Sequence, residues 1–537
     1  MGQPHMNKPR VRVKAGSAPA SSAPARERAT ARWLRDGASG VLSMRQASLV
    51  ESRDETRRAW HRIAALAVDF IQNSGRLKGA VDQIIADTVG NELKLRAKPD
   101  LSALGYSAEE TNVFARMAEQ RWRRYAWNPA EVDFRGKFSL PQLLDIGLRH
   151  HVAFGEALGL IEFMGRAERR RYGIGTGTKL LLVTPTRLVS DTNEVEGLFQ
   201  GVRHDENGRP LAYRLQHREA GLNVKRDHRV RDAQGRQLIV HCFDPWDGSD
   251  VRGISPIAAA MRTHAHSEQL QDVTLATAIL QTVFAATLTS PEPSNEAFNA
   301  IESLDDDDGG LKADFLGYFE NALDQARKSR IALDGTGQVS HLAPGEKLEL
   351  HTASTPGGVY LPFSADLRRE MARSLGITAE SYSLDYSGAT YSSTRMGTAS
   401  IWPLNLRRRE RIAAPLAQAG YESWLDEEIA TGRIPLRGGY AAFQRHRDAI
   451  CWAEWQGPAK PTADDEKSAR AASERLLNGT STLEYECGEL GLDSNDVIAK
   501  RSEERKALVA ANLPDPFERV RGGGQSAASR PGEVTAA

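Results

Sequence analysis

The residues of this chain that could carry chemistry are scattered, and their spacing argues against most reactions. Four consecutive aspartates, Asp305 to Asp308, bring enough carboxylate for a divalent cation, but successive side chains diverge and the EF-hand spacing is absent. They read as a solvated acidic loop. Cys242, Cys451 and Cys487 form no CxxC pair and have no histidine at ligand spacing. His241 adjoins Cys242, yet neighbours on a strand point to opposite faces, so the cysteines read as free thiols of a reducing cytoplasm. Gly173, Gly175 and Gly177 alternate like part of a phosphate-binding loop but lack the full GxGxxG pattern and the strand that should precede it. The sequence contains no GxxxxGK[ST], HExxH or GxSxG motif, so ATPase, zinc-protease and serine-hydrolase chemistry have no signature. No catalytic residue, metal ligand or cofactor is expected.

What remains is a segment suited to contact, Leu384 to Arg395, LDYSGATYSSTR. Tyr386, Ser387, Gly388, Thr390, Tyr391, Ser392, Ser393 and Arg395 supply hydroxyls, aromatic rings and one cation, with too little apolar surface to pack a core. The acids beside them, Glu380 and Asp385, have no histidine or third carboxylate nearby in sequence, so general acid–base work is not expected. From its residues alone the segment is built to slide or touch, not to react. The bland alternative is a surface connection with its tyrosines packed on its own backbone. Further on, Arg407, Arg408, Arg409 and Arg411 cover more than one face of a helix, so they cannot all point the same way. Salt bridges to acids of a neighbouring subunit, or exposure to solvent, are their plainer reading.

These residues need elements to position them. In 537 residues, Lys plus Arg equals Asp plus Glu at 70 each, which excludes a protein whose main business is gripping nucleic acid by bulk charge. Apolar spacing predicts two helices from Arg57 to Val89 broken at Asn73 to Gly75, a helix from Ala108 to Trp127 carrying Trp122 and Trp127 toward a core, and another from Leu140 to Phe154. Arg121, Arg123 and Arg124 read as a solvated face. A strand-rich section follows to about Asp244, with Asn207-Gly208 as a tight hairpin turn. The longest helical pattern runs from Arg252 to Thr289, with Ser255 and Pro256 placed for its start. Being small or apolar on most sides, it should be surrounded by protein. An amphipathic helix from Pro362 to Thr378 precedes the hydroxyl-rich loop, a helix bent by Pro403 and Pro415 follows it, and Thr462 to Asn512 reads as two helices capped at Asp493 or Ser494. No apolar run approaches the roughly 20 residues that span a bilayer, and the N-terminus lacks the apolar stretch of a secretory signal.

Three segments, DYSGATYSSTR, VRGISPIAAAM at Val251 to Met261 and GVRHDENGRPLAYRL at Gly201 to Leu215, occur in an order that resembles the portal proteins of lambda-type tailed bacteriophages. The resemblance spans roughly residues 60 to 510. It implies an α+β, mainly helical portal fold with wing, stem, clip and crown regions that forms rings. The divisions expected are 1–55 as a disordered N-terminal arm, 56–250 as N-terminal helices and wing, 251–290 as a first stem helix, 291–355 as the clip and 356–383 as a second stem helix. After these come 384–395 as a tunnel loop, 396–460 as a kinked helix and wing return, 461–515 as a helical crown and 516–537 as a disordered tail. The implied function is the ring-shaped channel at one capsid vertex through which double-stranded DNA is packaged and ejected. The implied partners are copies of itself in a twelve-fold ring, the DNA, terminase, major capsid and scaffold proteins, and head-completion proteins, with no membrane. Such a protein would assemble in the host cytoplasm and reside in the virion. The resemblance also brings the loop residues to a channel where Arg407, Arg408 and Arg411 are candidate lumen cations. A nucleic-acid-processing enzyme of the packaging machinery and the portal of a domesticated gene-transfer particle are the alternative readings.

Overall fold

The computed structural model describes residues 50–282, 286–289, 347–350, 357–462 and 464–514. The architecture is mainly helical, with small antiparallel sheets set against the helices. Helix α1 (Ser52–Asn73) and helix α2 (Gly75–Thr88) meet at Ser74, whose side chain caps α2 by accepting from the Leu77 amide. Helix α3 (Ala108–Trp127) begins with a Ser107/Glu110 capping box, and α4 (Leu140–Phe154) with Ser139 and Gln142 in the same arrangement. Each spans the residues its apolar spacing gives.

A long helical passage crosses this group. Helix α8 (Tyr391–Arg408) runs into a π-turn at Arg409–Ala413 and then helix α9 (Ala414–Ala430). Pro415 has no N–H to return to the preceding turn, and the widened π-turn sits directly before it. Helix α9 is buried along most of its length, and Tyr421 and Trp424 meet Trp122, Tyr125 and Trp455 in an aromatic cluster with ring centroids 5.3 to 6.3 Å apart. Trp122 therefore belongs to the core. Trp127 does not: it is 47% exposed and donates its indole N–H to Glu92 at 2.6 Å, because it sits at the helix end and needs a partner for that group.

Strand β1 (Lys94–Ala97) pairs with a late strand, Ala453–Gln456, so the first and last parts of the core close on each other. Strand β2 (Glu156–Phe163) is central to a three-stranded sheet, flanked by β3 (Thr178–Val183) and by Ile239–Phe243. Strands β4 (Leu198–Phe199), β5 (Val202–His204), β6 (Pro210–Glu219) and β7 (Leu222–Arg229) form a second sheet, in which Gly208 has φ of +81° in the turn between β5 and β6. Strand β8 is the Ile239–Phe243 strand; a further pair, β9 (Ala286–Thr289) and β10 (Lys347–Leu350), is antiparallel, and β11 is Ala453–Gln456.

Several boundaries differ from those expected. Helix α1 starts at Ser52, within the supposed arm, and residues 1–49 lie outside the described residues. The helix expected over 251–290, α5, spans Met261–Thr282: a 3₁₀ turn at Ala258–Ala260 precedes it, and Ala286–Thr289 is already strand β9. Apart from β10, the expected clip lies outside the described residues, as do Asp305 to Asp308 and the tail beyond 514. Helix α6 (Tyr360–Leu375) and the short α7 (Ala379–Ser383) replace one continuous helix, since Gly376 takes φ of +66° between them. Among the described residues the C-terminal part has three helices, α10 (Asp465–Leu477), α11 (Leu483–Glu489) and α12 (Ser494–Ala510), the last capped by Asp493.

Candidate functional site: a contact loop and the ion pairs behind it

The hydroxyl-rich loop is shorter than its sequence suggests. Helix α8 begins at Tyr391, with Thr390 as its cap: the Thr390 hydroxyl accepts from the Ser393 amide at 3.2 Å, and the Ser393 hydroxyl accepts from the Thr390 amide at 2.9 Å. Tyr391, Ser392, Ser393 and Arg395 are therefore on the exposed first turns of a helix, and only Asp385–Thr390 lie between α7 and α8 with Leu384 as the α7 cap. The physical reason is a capping box spelled with Thr and Ser.

Within the loop, order comes from its own atoms. Asp385 accepts from the Ser387 amide at 3.1 Å and its hydroxyl at 2.6 Å, and Ala389 donates to the Tyr386 carbonyl at 3.0 Å. Those two Ser387 bonds hold the Asp385 carboxyl below its ordinary pKa although it is fully exposed. Leu384 sits in the left-handed region at φ of 54°, unusual for this residue, and its side chain is 77% exposed. Tyr386 and Tyr391 are 51% and 40% exposed, and the Lys467 ammonium lies 5.2 Å from the Tyr391 ring centre. Gly388 has open space around it.

The arginines behind the loop are differently placed. Arg407 bridges both oxygens of Asp244 at 2.7 and 2.8 Å, and Arg411 reaches the same carboxylate at 2.6 Å. Arg408 is packed against protein: it donates to the Leu375 carbonyl and to Asn405, and burial pushes its pKa down to about 10, against the pull of Asp244 and Asp87. Arg408 thus cannot serve as a lumen cation in this conformation, because its guanidinium closes the end of α6. Arg409 donates to the Thr88 carbonyl at 2.9 Å. Within the protomer Arg407 and Arg411 form ion pairs, with an acid of the same chain and not of a neighbouring subunit, while Arg408 and Arg409 bond to carbonyls.

Asp244 immediately follows β8, next to a buried node that sequence reasoning missed. Glu156 receives Arg252 at 2.5 to 2.9 Å, His241 at 3.0 Å and the Gly253 amide at 3.2 Å, while the Arg252 guanidinium lies 4.1 Å from the Trp60 ring centre. Burial alone would raise the Glu156 pKa; Arg252 and His241 outweigh it and hold the carboxyl at about 2. Backbones approach here so closely that a Cβ on Gly253 would lie 2.1 Å from the Gly155 carbonyl oxygen. The node ties the VRGISP segment before α5 to the sheet. A buried Arg in the RG dipeptide was the available signal, with no sequence mark for its partner.

The glycine-rich turn resembling a phosphate loop already holds anions of its own. Glu131 accepts from the Gly175 and Thr176 amides at 2.8 and 3.0 Å, and Glu427 from the Gly177 and Thr178 amides at 2.7 to 2.9 Å. Cys242, Cys451 and Cys487 are free and buried, with burial raising the first thiol to about 12. Among the described residues no group of three or more His, Cys, Asp or Glu could hold a metal ion, and no helix is long and apolar enough to cross a membrane.

Comparison with known proteins identifies the family. A model of phage portal proteins of the lambda family matches residues 41–409. The portal protein of Escherichia phage N15 is 26% identical over 459 residues, covering 84% of this chain and 85% of that protein. Portal protein B of Escherichia phage lambda is 26% identical over 461 residues, with the same shares. Among solved structures, a chain from the neck of an empty GTA particle computed with C6 symmetry has 15% identity and a TM-score of 0.43 over 79% of this chain and 93% of its own. One from the neck of a native GTA particle with C12 symmetry has 14% identity and a TM-score of 0.34, over 74% and 96%. At those TM-scores neither likeness carries an argument. The sequence matches do: spanning most of the chain and of both phage proteins, they make this chain a member of the lambda family of phage portal proteins.

Proposed function

We propose that this portal protein closes, with copies of itself, into a twelve-fold ring at one capsid vertex, and that double-stranded DNA passes through the ring with the 384–390 loop at the channel wall. The observation that supports assembly is apolar surface left uncovered on a single protomer. Val273 and Leu275 of α5 are 57% and 62% exposed, and Leu361, Phe363 and Met396 on α6 and α8 are more than half exposed. Asn405 is the buried residue of α8. Helices bearing such side chains are stable against further copies of the same chain, and heterologous contacts of one kind close into a ring.

In this reading the protein's part in packaging is mechanical. Hydroxyls of Ser387, Thr390, Ser392 and Ser393 offer weak, repeated donors to a passing backbone, and Tyr386 and Tyr391 add polar-tipped rings. Strong binding would stall a moving duplex. Arg395 is the exposed cation at this end of α8, while Arg407 and Arg411, both half neutralised by Asp244, contribute a muted field to any polyanion nearby. Terminase during filling, head-completion proteins afterwards, and scaffold and major capsid proteins around the vertex complete the set of partners, with assembly in the host cytoplasm. The family's role is structural, and the reading assigns the chain no catalytic step. Mass photometry with negative-stain microscopy on purified protein, with and without scaffold, tests it. Annular particles near twelve protomers are expected; a monomer or dimer under both conditions would refute the ring.

A further inference from the structure

The C-terminal helices α10, α11 and α12 are fastened to the rest of the protein almost without an apolar core. No residue of α10 is buried, Glu486 and Cys487 are the buried residues of α11, and Ser494 is that of α12. Their attachment is polar and centres on β1. Arg96 lies 3.0 Å from Glu484 and 3.1 Å from Asp493, Lys98 lies 2.6 Å from Glu484, and Lys94 donates to the Gly491 carbonyl at 3.0 Å. Gln456 on β11 adds bonds to the Gly488 and Leu492 carbonyls at 3.2 and 3.1 Å.

A cavity of about 580 Å³ opens at this seam, between α3, β1 and the first half of α12. Glu119 of α3 borders it and accepts from the Ala97 amide at 2.8 Å. The charged groups around it come from every wall. Helix α3 itself brings Arg116 and Arg123, and β1 with the residues before it brings Glu92, Lys94 and Arg96. Helix α12 and its cap bring Asp493, Asp496, Lys500, Arg501 and Glu504. Of these, Asp493 and Asp496 act on Glu119 by repulsion and Arg96 by attraction, and Arg96 is already engaged by Glu484 and Asp493.

We propose that Glu119 is a proton-operated catch for the C-terminal three-helix unit: when protonated it lets Asp493 and Asp496 close onto β1, and when ionised it loosens them. Burial first, then those two aspartates, hold its carboxyl up at about 7, from an ordinary 4.5. Opening the seam rehydrates Glu119 and removes both neighbours, so the open state binds the proton less tightly. The sign follows from that difference: closure is fully favoured below about 4.5, weakens as pH rises, and levels off above about 7. Glu484 works in the opposite sense, since Lys98 holds its pKa below the ordinary carboxylate value and its contribution fails only in more acid solution.

Hydrogen–deuterium exchange on the full chain tests this, with protection factors for amides of residues 465–510 corrected for intrinsic rate between pH 5.5 and 8. Wild type is expected to lose about thirtyfold protection across that range, since a carboxyl at about 7 leaves about 1.5 pKa units of proton linkage above pH 5.5 and each unit is one decade. E119Q keeps an acceptor for the Ala97 amide and is expected to hold its low-pH protection throughout, and D496N to move the transition to lower pH. Flat wild-type protection, or an undiminished drop in E119Q, would overturn the proposal. Should E119Q also lose protection in α3 and α4, it has misfolded, and D496N decides: a transition left where wild type has it counts against the catch.

Discussion

Glu156 and Asp385 use the same chemical means, a carboxylate among hydrogen-bond donors, to opposite ends. Around Glu156 the donors come from distant parts of the chain: Arg252 and Gly253 before α5, and His241 on β8. Around Asp385 they come from Ser387, two residues on. The first site is buried and fixes where a long helix leaves the sheet; the second is exposed and gives a loop its shape without fastening it to the body. An exposed loop shaped by its own residues thus contrasts with a buried junction made by distant ones, and the cations Arg407 and Arg411 are restrained by Asp244.

The largest effect expected from disturbing that contrast is in the node. Arg252→Ala leaves Glu156 buried without its partner, a change of about 3–5 kcal/mol in unfolding free energy, measurable by urea denaturation. The same contrast has a pH form. The folded-state pKa of Glu156 is lowered, so its stabilising contribution is present above about 4.5 and is lost as pH falls toward about 2. Acid unfolding of wild type should therefore steepen in that window, and Arg252→Ala should flatten it. In between stands Asp244→Asn. Its ion pairs are two-fifths to one-half exposed, so stability should change by less than about 1 kcal/mol, while release of Arg407 and Arg411 should make duplex binding fall more steeply with added salt, which a filter-binding titration reads. Smallest is Tyr386→Ala, whose exposed ring should leave stability within about 0.5 kcal/mol of wild type by thermal melting.

Much of the helical frame was legible because it is local. The apolar spacing of α3 and α4 and the Asn207-Gly208 turn need no knowledge of the rest of the chain. Where helix and strand preferences overlap, periodicity loses its power: the Ala, Thr and Leu run after Thr282 extends a helical pattern on paper but enters β9. The loop boundary was misplaced for a different reason. Thr390 and Ser393 bear the spacing of a capping box, yet their hydroxyls also fit a flexible loop, and only the observed amide bonds separate the two. The salt bridges of Arg407 and Arg411 were foreseeable in kind but not in partner, since Asp244 lies 163 residues from Arg407. Glu156 and Arg252, 96 residues apart, meet only through tertiary packing, and no local pattern pairs them.

The most direct test of the account is DNA content in particles carrying a portal without Ser387, Gly388 and Ala389, the part of the loop that neither caps α8 nor shapes the end of α7. If the loop is the contact surface and the node its base, the purified protein should form rings of unchanged mass and melting temperature while packaged or retained DNA falls well below wild type. Particles with full-length genomes and normal titre would contradict it, and would move the DNA contact elsewhere on the channel wall.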